Sequence, residues 1–317
     1  MVCRVVFRRV DCGASLRIKA GRCFVLGIRA WMLLIAGGVL APAVAQTASD
    51  GAGGAPDKSG YTLFDPTPDD QMRAFCTDRP TKSNLPCTVD AGHFQYEADI
   101  VNWAYAHTNG VTTNTVLIPN PTLKLGLTNR IDLELAMAPL EVVSTRGPAG
   151  KQQSLGGIGD LTLRVKVNLA GAEGGAFQAA LIPFIKLPTA RPGIGNQAVE
   201  GGLIAPVSFT LPWDFTLLTD PEIDILRNQA DFGRHSNFQT LVNVSHALSD
   251  SVTGYAEIWG QLDTDPAHAT RQASFDLAVS WVAWPNLPNL QFDIGANIGL
   301  TPATPKIQGY IGISQRF

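Results

Sequence analysis

The chain has 317 residues, 45% hydrophobic and only 16% charged, against about 25% charged in an average soluble domain. Lys+Arg 24 against Asp+Glu 27 gives a formal net charge of -3, which argues against a nucleic-acid partner; the mean hydropathy of +0.08 excludes both a helical membrane protein and a disordered chain. The 31 Gly and 21 Pro, with no collagen period, exclude a helical bundle and leave a β-rich globular protein or a membrane β-barrel.

Residues 1–45 read as an export signal. Seven bases (Arg4, Arg8, Arg9, Arg17, Lys19, Arg22 and Arg29) and one acid, Asp11, precede an apolar core over 30–40. Ala43-Val44-Ala45 then supplies a cleavage site before Gln46. The core is short of the roughly 20 residues a spanning helix needs. The basic region is longer than a signal requires, which would fit a true start downstream of Met1. Cleavage after Ala45 leaves 17 bases against 26 acids, a net charge of -9. It also removes Cys3, Cys12 and Cys23. The remaining Cys76 and Cys87 form an even pair in an exported chain, which reads as a disulfide. With only His93 nearby, zinc lacks ligands.

Residues 46–90 are rich in Gly, Pro, Asp, Ser and Thr and lack a sustained period. They read as a periplasmic lead-in or as a plug tethered to the first strand. From residue 91 onward the chain alternates with period two. In Leu161-Thr-Leu-Arg-Val-Lys-Val-Asn-Leu169, Leu161, Leu163, Val165, Val167 and Leu169 share one face, and Thr162, Arg164, Lys166 and Asn168 share the other. The segments 131–137 and 290–300 repeat the scheme.

Twelve such segments follow, over 92–106, 111–127, 130–146, 158–170, 175–189, 199–212, 214–228, 235–249, 252–265, 270–285, 288–301 and 305–317. They exceed the roughly 9–11 residues with which a tilted strand crosses a bilayer. Short turns at 128–129, 171–174, 213, 250–251 and 286–287 mostly alternate with longer loops at 107–110, 147–157, 190–198, 229–234, 266–269 and 302–304. That pattern predicts an all-β, transmembrane, antiparallel up-and-down barrel of twelve strands in the outer membrane of a Gram-negative bacterium, with both termini periplasmic. Phe94, Tyr96, Trp281, Trp284 and Phe317 fall where aromatic girdles belong.

The same alternation predicts lumen-facing acids Glu97, Asp99, Asp132, Glu134, Glu200, Asp220, Glu222, Asp224, Glu257, Asp263, Asp276 and Asp293, and bases Lys124, Arg164, Lys166, Lys186 and Arg316. Asp132 and Glu134 should pair across strands with Arg164 and Lys166. These charges either brace and wet the lumen or bias it, through Asp220, Glu222 and Asp224, toward cations or polar neutral solutes. No enzyme motif of the GxSxG, Walker or HExxH kind is present. Ser245 and His246 are adjacent, so a strand places them on opposite faces. No catalytic residue, cofactor or metal ligand is expected.

Four phrases resemble a known family: 77–97 (Thr77-Asp-Arg-Pro-Thr-Lys-Ser-Asn-Leu-Pro-Cys-Thr-Val-Asp-Ala-Gly-His-Phe-Gln-Tyr-Glu97), 123–133, 157–166 and 183–189. The resemblance is to the outer-membrane barrel family named for the MetA pathway of phenol degradation. It implies a transporter-like outer-membrane barrel passing small, aromatic or hydrophobic compounds, and carries over no binding residues. Ile311-Gly-Ile-Ser-Gln-Arg-Phe317 resembles the terminal signal read by the barrel-assembly machinery, departing from it at Gln315. The expected function is passive passage of small solutes. The alternative is a non-conducting structural or adhesive barrel, and the expected surroundings are outer-membrane lipid.

Overall fold

The computed structural model describes residues 57–282, 284 and 286–317. The expected leader over 1–45 lies outside them, as does the first part of the 46–90 segment. Alternating side chains put this sequence into strands, and proline decides where the ladders pause. The strands are β1 (Phe94–Thr108), β2 (Val111–Leu117), β3 (Asn120–Thr128), β4 (Ile131–Ala136), β5 (Glu141–Arg146), β6 (Gln152–Gly157), β7 (Leu161–Ala170), β8 (Phe177–Leu187) and β9 (Glu200–Ile204). They continue as β10 (Val207–Thr210), β11 (Thr216–Thr219), β12 (Glu222–Arg227), β13 (Arg234–Ser249), β14 (Val252–Asp263), β15 (Thr270–Val282), β16 (Leu290–Gly299) and β17 (Ile307–Arg316).

Five consecutive pairs are halves of one stave each: β2 with β3, β4 with β5, β6 with β7, β9 with β10, and β11 with β12. Pro119, Pro139, Pro206 and Pro221 stand in four of the gaps, because proline has no N–H to give to a neighbour. Twelve antiparallel staves result, and β1 pairs with β17 from Gln95–Arg316 to Tyr105–Ile307, closing the barrel. Closure leaves no free strand edge for a bilayer to solvate. No helix among the described residues is long and apolar enough to cross a membrane.

The polarity of this barrel is inverted relative to a globular core. Apolar side chains such as Leu169, Ile258 and Ile294 stand exposed on the outside, while most buried side chains are polar or charged. Phe94 and Phe317, Trp281 and Phe292, and Phe177 and Phe209 pair at the end that holds both described termini.

The connections differ from expectation in several places, among them the turn expected at 213, which is a five-residue connection over 211–215. Asn109 and Gly110, both at positive φ, make a two-residue turn where a loop over 107–110 was expected; Asn-Gly is the favoured pair for such a hairpin. The loop expected over 147–157 shrinks to 147–151, since Gln152–Gly157 continues the stave and Ser144 meets Ser154 at 2.8 Å across it. The turn expected at 286–287 lies within a seven-residue connection, 283–289. Short and long connections therefore alternate less cleanly than the sequence suggested.

Residues 57–93 form almost no regular structure. A bridge from Thr62 to Thr128 and the Leu63 N–H to Leu127 carbonyl bond hold the segment's start at the terminal end. Arg73 then binds the carbonyls of Asn129 and Ala172 at 2.9 and 2.8 Å. Asp90 accepts from Arg73 and Arg316 at 2.8 and 2.9 Å, locking the segment's base to the last stave. Between these anchors lies a loop closed by the Cys76–Cys87 disulfide.

Candidate functional site

The loop 76–87 touches side chains on β1, β3, β7, β13, β14, β15, β16 and β17. A segment can reach staves around the whole circumference of a closed barrel only from inside it. Three of its charged residues meet wall partners of opposite sign.

Asp78 meets two lysines of the wall. Its carboxylate lies 2.5 Å from Lys124 Nζ and 2.9 Å from Lys166 Nζ. Lys166 is also 3.2 Å from Glu134, and Lys124 is 2.6 Å from Glu97. The register builds this cluster: Lys124 stands opposite Glu134, Glu134 opposite Arg164, and Asp132 opposite Lys166. Burial pushes the Asp78 carboxyl up, but the two lysines overcome it and hold the group well below the usual carboxylate range. The Asp78 N–H donates to Glu97 at 3.1 Å.

Arg79 meets two aspartates of the wall. It donates to Asp99 at 2.7 Å and to both oxygens of Asp293 at 2.7 and 2.9 Å. Burial works against its charge, yet Asp293 and Asp99 hold the guanidinium above its ordinary value. Lys82 pairs with Asp276, bonds Ser274 at 3.0 Å and lies 5.2 Å from the Trp259 ring centre.

Asn84 donates from its backbone and side-chain nitrogens to Asp220 at 2.8 and 2.9 Å. Glu257 accepts from the Lys82 N–H at 3.2 Å and from Asn243 at 2.9 Å.

The residues expected in the lumen thus fall into groups. Glu97, Asp99, Asp220, Glu257, Asp276, Asp293, Lys124 and Lys166 bind the inner segment directly. Asp132 takes no cation: it accepts the Val89 N–H at 3.1 Å, so only Glu134 of the expected pair meets Lys166 closely. Arg164 approaches Glu134 at 4.0 Å and donates to Asn84 at 3.3 Å.

Glu222 and Asp224 share Gln239, at 3.2 and 2.9 Å, and Asp224 also accepts from Asn237 at 2.8 Å. No lysine or arginine lies within ion-pair distance of either, or of Asp220, among the described residues. Lys186 and Glu200 pair at 2.7 Å nearer the opposite mouth, beside a cavity of about 440 Å³ that His235 and Asp263 also line. Arg316 faces inward at the terminal end, on Asp90.

Sequence reading overlooked Asp78, Arg79, Lys82 and Asn84, which carry no period and lie in an irregular stretch. Their signal was the run of charged and amide side chains between two cysteines.

A second cavity, of about 220 Å³, lies between the inner segment and the wall. Thr77, Thr81, Ser208, Thr216, Ser245 and Tyr255 face it with hydroxyls, and Leu85 and Leu218 with apolar surface. His246 is stacked on Phe215, 4.3 Å between ring centres. No group of His, Cys, Asp and Glu side chains suited to a metal ion occurs among the described residues.

A closed antiparallel barrel with an apolar exterior and an ion-paired segment inside has the architecture of outer-membrane barrels. The chain belongs to the family described as "Putative MetA-pathway of phenol degradation", whose model matches residues 77–317. Among solved structures it is similar to an outer membrane channel from Pseudomonas putida F1, at 15% identity and a TM-score of 0.52, covering 71% of this chain and 94% of that one. Weaker likenesses are to the β domain of the Bordetella autotransporter BrkA (11% identity, TM-score 0.43, 71% and 98% covered) and to the CymD monoaromatic hydrocarbon channel (8%, 0.38, 71% and 88%). These likenesses speak to the fold alone. No curated protein matches the sequence.

Proposed function

We propose that the protein is an outer-membrane channel for passive passage of small solutes, obstructed at mid-lumen by the segment 57–93. The carrying observation is the pairing of Asp78 with Lys124 on β3 and Lys166 on β7, and of Arg79 with Asp99 on β1 and Asp293 on β16. A wall built this way holds a polar obstruction in place.

The solutes are small aromatic or hydrophobic compounds, phenols among them, in keeping with the family description. The cavity of about 220 Å³ suits such a solute, since it combines hydroxyl groups with Leu85 and Leu218. The unpaired acids Asp220, Glu222 and Asp224 bias ion flow toward cations. Catalysis is not part of this reading: His246 is held on Phe215, away from the cavity that Ser245 lines.

The surroundings are outer-membrane lipid, reached through the barrel-assembly machinery. The termini lie on the periplasmic side, a reading supported by the twelve-residue connection 188–199 at the opposite mouth. Liposome swelling with a graded series of neutral solutes tests the reading. Swelling that falls off with solute size supports it, and absence of swelling with every solute favours the non-conducting barrel.

A further inference from the structure

The seat of Arg79 is a built receptor for a planar cation. Asp99 on β1 and Asp293 on β16 flank β17, and both stand opposite Gly312 in register. Gly312 is the floor: a Cβ there would run into the guanidinium of Arg79.

The guanidinium uses Nε and Nη2 on the two oxygens of Asp293, at 2.9 and 2.7 Å, and Nη1 on Asp99 at 2.7 Å. Asp293 is fully buried. Asn102 and Asn120 donate to the other oxygen of Asp99 at 2.9 and 3.1 Å and fix its direction. The Tyr310 ring closes one side, 5.8 Å from Arg79 Cζ. Fork-on-carboxylate geometry of this kind selects a guanidinium over a spherical or fully alkylated cation. A cavity of about 180 Å³, lined by Asp99, Asn102, Asn120 and Tyr310, adjoins the notch and gives a free solute room to approach it.

We propose that the notch formed by Asp99, Gly312 and Asp293 is a binding site for small organic cations bearing a guanidinium or amidinium group, and that Arg79 occupies it as a built-in competitor. The consequence for conduction rests on the obstructing role of the inner segment; the binding does not.

The test compares Arg79→Ala with the wild-type chain in detergent, following thermal unfolding with guanidinium chloride or tetramethylammonium chloride at the same millimolar concentration. Guanidinium is expected to shift the Arg79→Ala midpoint upward toward wild type, tetramethylammonium to leave it, and Asp293→Asn in the same chain to abolish the difference. Equal shifts with the two salts, or a guanidinium shift that survives Asp293→Asn, would overturn the site. Should Arg79→Ala not refold, Arg79→Lys, whose ammonium lacks the fork, should show the same preference for guanidinium more weakly, and no preference overturns the site.

Single-channel conductance of a chain lacking residues 57–90 separates the two claims. A guanidinium-specific shift in Arg79→Ala with unchanged conductance on that deletion keeps the notch and removes the obstruction; raised conductance on deletion without that shift does the reverse.

Discussion

Nη2 of Arg79 lies 2.7 Å from Oδ1 of Asp293 across 214 positions of sequence. The contact ties the inner segment to the eleventh stave, where both partners are shielded from bulk water. Removing one member of a buried pair leaves the other charge uncompensated, at a typical cost of about 3–5 kcal/mol.

Arg79→Ala and Asp293→Asn should therefore each loosen the segment, and the double variant should lose less than the sum. A coupling of about 1–3 kcal/mol is expected in a double-mutant cycle, read from protease cleavage within 57–93. Additive losses would show that the two side chains act independently.

Asp78 makes its own contribution to the pH response. Its carboxyl is held below the ordinary Asp value of about 3.9, so its contribution is complete above that value and fades as pH falls through the lowered one. The conductance difference between wild type and Asp78→Asn should stay constant from neutral pH down to about 4 and close only in stronger acid. Asp78→Asn should show raised conductance already at neutral pH. A difference that closes between pH 7 and 5 would contradict a lowered Asp78 value.

The Cys76–Cys87 bridge closes a loop across 11 positions, for which chain entropy suggests about 3 kcal/mol. Reduction, or Cys76→Ser with Cys87→Ser, should increase current noise and protease cleavage of the loop while the barrel keeps its heat-modifiable gel shift. Identical traces before and after reduction would show that the wall contacts suffice.

Replacing Asp220, Glu222 and Asp224 with Asn, Gln and Asn should reduce cation preference, measured as reversal potential under a salt gradient. An unchanged reversal potential, or anion preference in the wild type, would place the selectivity elsewhere.

The barrel was legible because period two survives in every stave, and a one-residue slip would turn Glu134 and Lys166 out to lipid. Closure and stave number followed from the count of such segments. The five pauses within staves were harder to read, since Pro206 and Pro221 interrupt hydrogen bonds without breaking the direction of the chain.

The site was legible on one side only. Wall acids and bases announced themselves by alternation, whereas Asp78, Arg79, Lys82 and Asn84 sit in a stretch whose shape is set by the wall around it. That is also why Asp132, which alternation places opposite Lys166, meets the Val89 N–H instead: the competing partner comes from a segment with no pattern of its own.

Single-channel conductance of the intact chain against a variant lacking residues 57–90, each checked for a heat-modifiable barrel, tests the central claim most directly. Loss of the segment should raise conductance several-fold and weaken its dependence on solute size. Equal conductance from the two folded proteins would contradict an obstruction held by Asp78, Arg79 and Lys82.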